Sequence, residues 1–159
     1  MNILYDLFHN TVFVTAGVAW AIAQLIKTII DFAMNGKLNL ERMVGSGGMP
    51  SCHSATVCSL ATISFLIYGA GSFEFAVTAM LAIIVMYDAR GVRRETGTQA
   101  VIINEIMEYL SNPLDSRYKD PNFSQEKLKE FIGHTPIQVI CGAILGIAVA
   151  LISYYGFIV

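Results

Sequence analysis

The chain has 159 residues, 55% of them hydrophobic and only 14% charged, with a formal net charge of -2 and a mean hydropathy of +0.58. Soluble domains carry roughly 25% charged residues, so a disordered chain, a nucleic-acid binder and a secreted disulfide scaffold are excluded, because each needs a polar or cysteine-rich composition. The three cysteines, Cys52, Cys58 and Cys141, have neither a metal-ligand spacing nor an even count, so no metal and no cofactor is implied.

Residues 11–34 form the first apolar run, 24 residues long, or about 36 Å as a helix, enough to cross a hydrocarbon core of about 30 Å. The first 26 residues hold no Lys or Arg. A signal peptide would open with a cation, so this run reads as a retained span. Residues 54–70 form a second, shorter run. The third, 75–87, has 13 residues. It crosses only by borrowing 72–74 or 89–90, and a re-entrant helix is the alternative.

A polar stretch follows from Asp88 to His134. Within it Val92, Thr96, Ala100, Ile103, Met107 and Leu110 step by three and four, which predicts an amphipathic helix. Asn112 and Pro113 end it. Ser124 is placed to cap a short helix carrying Leu128, Phe131 and Ile132 on one face, with Gly133 as its stop. Thr135 and Pro136 then open a last apolar run, 136–159. These elements predict an all-α fold: a polytopic membrane helical bundle of about four spans plus amphipathic cytoplasmic helices, forming one integral-membrane domain over residues 1–159.

All ten Lys and Arg residues fall on one side of this topology. Lys37 and Arg42 follow the first run, seven more follow the third, and Lys27 sits within the first run towards the same end. The positive-inside rule therefore places both basic loops in the cytoplasm and both termini outside.

Two stretches hold chemistry. In VGSGGMPSCHSA, residues 44–55, Gly45, Gly47 and Gly48 let the backbone turn closely around a ligand. Pro50 suits a first helical turn. A helix starting there directs unpaired N–H groups outward, an anion site. Ser51 adds a hydroxyl and His53 an imidazole, while the Gly-Lys-Ser/Thr ending of a nucleotide P-loop is missing. In YDARGVRRETGTQA, residues 87–100, Arg90, Arg93 and Arg94 fall within about one helical turn, and guanidinium forks hold phosphate oxygens bidentately. The same arginines also serve as ordinary membrane-interface anchors, and Asp88 beside them either neutralises one or orients a histidine. His134 lies on the same side as His53. Two imidazoles, several guanidiniums and a glycine-lined helix start suit metal-free phosphoryl transfer, one His attacking phosphorus and the other protonating the leaving oxygen.

GGMPSCHSA, then DARGVRRETGTQA, then GHTPIQV followed by GAILG, resemble the divergent branch of the type 2 phosphatidic acid phosphatases, relatives of the vanadium-dependent haloperoxidases, over residues 15–150. The resemblance implies His134 as the nucleophile and His53 as the general acid. It implies that Ser51 and the loop backbone at Gly47 and Gly48 bind phosphate, with Arg42 as the early Arg and Lys27 or Lys37 as the early Lys. Four positions depart from the pattern. Cys52 stands where a Gly is usual, no Pro follows Arg42, no Arg closely precedes His134, and Gln138 occupies the place of an orienting Asp. Arg93 or Arg94 must then supply the missing cation, and Asp88 or Glu130 the missing carboxylate. The expected partners are a membrane lipid and a phosphate-bearing substrate, with no nucleic acid. Gly142 and Gly146, spaced G-x-x-x-G, favour helix association, including with a second copy. The alternative function is a non-catalytic membrane protein that binds a phosphorylated lipid or scaffolds helices.

Overall fold

The computed structural model describes residues 2–36, 48–90, 92–110, 135–157 and 159, the side chains of residues 90, 92–96 and 108–110 excepted. Every regular element among them is a helix: α1 (Ile3–Phe8), α2 (Thr11–Asn35), α3 (Cys52–Tyr68), α4 (Phe73–Arg90), α5 (Val92–Leu110) and α6 (Pro136–Phe157). The expected short helix after Ser124 lies outside the described residues. The third apolar run borrows from both flanks, becoming the 18-residue α4. The amphipathic helix forms over the residues whose spacing predicted it.

The starts of α2, α3 and α4 are each fixed by a small polar side chain, the group best able to satisfy N–H donors that have no partner within the helix. Asn10 caps α2, its Oδ1 accepting from the Phe13 N–H at 3.0 Å. Ser51 caps α3 by accepting from the Ser54 N–H, and Ser72 caps α4 by accepting from the Phe75 N–H. Pro50 is consequently not in the first turn of α3, contrary to the sequence expectation. It precedes the cap residue, and Cys52 is the first helical residue.

Helix α3 is the centre of the bundle, packed against α2, α4 and α6, while α2 also meets α6. Its buried positions are mostly small, Cys52, Ser54, Ala55, Cys58, Ser59 and Ser64, with Val57 and Ile63 as the larger ones. Helix α6 is built in the opposite sense to a helix of a water-soluble protein. Ile137, Ile140, Ile144, Ile147 and Leu151 form its exposed stripe, while Val149 and Ala150 are buried together with Gly142 and Gly146. Bulky side chains outward and small ones inward is the pattern of a helix solvated by lipid and packed by close backbone approach. Helices α2, with 25 residues, and α6, with 22, are long and apolar enough to cross a membrane. Helix α3 has 17, about 26 Å.

The glycine spacing in α6 serves this chain's own core. A Cβ on Gly142 would fall on the Ser51 carbonyl oxygen, and one on Gly146 on the Ala55 carbonyl oxygen. The two helices therefore run parallel in constant register. The association expected from these glycines is used up inside the bundle.

Candidate functional site

Three elements converge where α3 and α6 begin. Running in the same direction from the same end, the two helices are tied at their starts by the Ser51 N–H, which donates to the Gln138 carbonyl at 3.0 Å. Helix α6 opens with a reciprocal cap. The Thr135 N–H donates to Gln138 Oε1 at 3.0 Å, and the Gln138 N–H donates to Thr135 Oγ1 at 3.4 Å. This is a capping box, and neither helix has an acidic residue in its first turn. Two positive dipole ends, each worth roughly half a charge, thus lie side by side with no carboxylate of their own.

Ser51 is fully buried. Its Oγ accepts from the Ser54 N–H at 3.3 Å and lies 3.1 Å from the Ser54 hydroxyl. His53, in the first turn of α3, is half-buried, with Cys52 Sγ 3.8 Å from its Nδ1. Cys52 itself packs with Ala23 and Ala55 beside Leu145, so the residue in place of the usual Gly is a core contact between α2 and α3.

Helix α2 brings Lys27, which is only 2% exposed. Gly48 sits directly over its stem: a Cβ there would lie 2.9 Å from Lys27 Cδ and 3.0 Å from Cγ, and Gly48 has φ +95°. Both the backbone conformation and the space disfavour any other residue at that loop position. Lys27, one of the two candidate lysines, is thus brought to the loop that precedes α3. Lys37, Arg42, Gly47, Glu130 and His134 lie outside the described residues. Of Arg90, Arg93 and Arg94 the helical backbone is described but not the side chain, and Asp88 is half-buried near the end of α4. The amide of Gln138, expected to orient a histidine, gives its oxygen to the α6 cap.

One residue was missed at the sequence level. Gln24 on α2 is 9% exposed, and its Oε1 has no hydrogen-bond partner. A lone amide among Ala19, Trp20, Ala21, Ile22 and Ala23 was the available signal, because polar side chains inside an apolar span are costly and mark function more often than packing.

The sequence matches the Divergent PAP2 family over residues 8–149. It is 38% identical over 156 residues to the uncharacterized membrane protein YuiD of Bacillus subtilis (strain 168), with 96% of this chain and 99% of that protein covered. No solved structure matches. A match across nearly the whole chain, on an all-helical bundle whose bulky faces point outward, makes this integral membrane protein a member of the Divergent PAP2 family.

Proposed function

We propose that the chain is a membrane phosphatase that cleaves a phosphomonoester or pyrophosphate carried by a lipid, through a phosphohistidine at His134. The observation that supports this reading best is the pair of helix starts, neither with an acidic residue in its first turn, joined by the Ser51 to Gln138 bond beside a buried lysine. Parallel dipoles placed side by side repel, and a tetrahedral anion at their positive ends relieves that repulsion.

In this reading the neutral imidazole of His134 attacks phosphorus as the bond to the leaving oxygen breaks. His53 delivers a proton to that oxygen. Water then attacks the phosphorus, His53 takes the water's proton, the N–P bond breaks and inorganic phosphate leaves with His134 restored. Lys27, the Ser51 hydroxyl, the loop backbone at Gly47 and Gly48, Arg42 and the Arg90, Arg93 and Arg94 cluster hold the phosphate oxygens as charge builds. Since Gln138 brings no negative charge, Asp88 or Glu130 stabilises the imidazolium form of His134. In this reading the site faces the cytoplasm, level with lipid headgroups, which the one-sided distribution of cations supports.

One observation favours a second reading, a binder of phosphorylated lipid without turnover: the position of the usual orienting carboxylate is Gln138, whose oxygen caps a helix. Phosphate release from phosphatidate and from a prenyl pyrophosphate, measured on detergent-purified protein beside His53→Ala and His134→Ala, separates the two. The phosphatase reading expects release that falls by 10²-fold or more in each variant, of the order general acid–base catalysis contributes. Equal rates in all three proteins leave only the binder.

A further inference from the structure

Among the described residues, Gln24 Oε1 and Ser64 Oγ are the buried side-chain polar atoms without a hydrogen-bond partner. An acceptor desolvated without a donor is a standing cost to the fold, and its position here is informative. Helices α2 and α3 are antiparallel in steady register: the Ser59 hydroxyl meets the Thr15 carbonyl, Ala23 packs on Cys52 and Ala55, and Lys27 lies under Gly48. That register sets Gln24 level with Ser51. Gln24 also lies one turn from Lys27 on the buried side of α2 that carries Thr15, Ala16, Ala19 and Ala23. The unpartnered acceptor is thus at the height of the paired helix starts.

We infer that Gln24 is a specificity residue, its Oε1 accepting a hydrogen bond from a protonated oxygen of the bound tetrahedral anion, so that the site selects an anion bearing an O–H over a fully deprotonated one of equal size and charge. This rests on the anion pocket of the phosphatase reading and adds a discrimination that helix dipoles, Lys27 and arginines cannot supply. Positive groups and donors attract phosphate and sulfate alike. An acceptor tells them apart, because inorganic phosphate near neutral pH keeps at least one P–O–H and sulfate keeps none; facing sulfate, Gln24 Oε1 meets only the repulsion of another acceptor.

The test is equilibrium binding of inorganic phosphate and of sulfate to the detergent-purified protein, by calorimetry, beside Gln24→Met. The wild type is expected to prefer phosphate by roughly tenfold or more, the size of one hydrogen bond involving a charged group, and Gln24→Met to lose most of that preference by weakening phosphate binding. Its thermal midpoint without anion should equal or exceed the wild type's, since an unmatched polar group has been replaced by an apolar one of similar volume. Equal affinity of the wild type for both anions overturns the inference without any variant and leaves the pocket standing. A preference that survives in Gln24→Met also overturns it. Binding of neither anion removes the pocket and the phosphatase reading with it.

Discussion

The two ends of the bundle are made from the same central helices and differ in what neutralises their helix starts. Where α2 and α4 begin, the caps Asn10 and Ser72 are joined by Glu74 in the first turn of α4, and the helices border an open cavity of about 340 Å³ whose lining includes Phe13, Leu60, Tyr68, Phe73, Glu74 and Val77. Where α3 and α6 begin, no carboxylate stands in either first turn, the buried Lys27 lies against Gly48 in the loop leading to α3, and glycines bring backbone against backbone. A helix start alone does not make an anion site. One left without its own counter-charge, next to another and to a cation, can become one.

Breaking the close approach should have the largest effect. Gly142→Leu or Gly146→Leu drives a side chain into a carbonyl of α3 and should cost about 3 kcal/mol or more, seen as loss of a cooperative thermal transition in detergent. Gly71→Ala, at the opposite end with nothing within 4 Å of the added Cβ, should stay within about 0.5 kcal/mol.

Exchanging charges sharpens the same contrast. Lys27→Met should weaken inhibition by vanadate, a phosphate mimic, by roughly 10- to 100-fold, the loss of one charge-assisted contact. Glu74→Gln should leave inhibition within about twofold. Comparable effects of the two substitutions would show that the two ends are not chemically distinct. Gly48→Ala should be milder, costing about 1–3 kcal/mol from backbone strain and displacement of the Lys27 stem, with the affinity for vanadate falling alongside stability. Smallest, Thr135→Ala should lower stability by about 1 kcal/mol through loss of the α6 cap, read as a modest drop in the thermal midpoint.

The helices were legible because lipid-facing and core-facing demands leave strong signals: the apolar runs became α2, α3, α4 and α6, and the three-and-four spacing after Val92 became α5. Helix α1 left no comparable signal, its six residues being too short for periodicity to register. Roles within the site were less legible, because a side chain's partner is set by the fold. Gln138 reads equally well as an orienter or as the third residue of a capping box. Gly142 and Gly146 fit an interface with another chain as well as one within it, and only the parallel register of α3 and α6 decides. Pro50 stands two positions before the first helical residue rather than in the first turn, since Ser51 competes with it for the start of α3 and its side chain can accept the Ser54 N–H. That Lys27 reaches the loop before α3 shows only in the fold, through the loop glycine that lies on its stem.

The most direct measurement is a structure determined with orthovanadate bound. The account predicts vanadium at the shared start of α3 and α6, within reach of the Ser51 hydroxyl and the Lys27 ammonium and flanked by the imidazoles of His53 and His134. Vanadium bound elsewhere, or those two rings too far apart to flank a single atom, would contradict it.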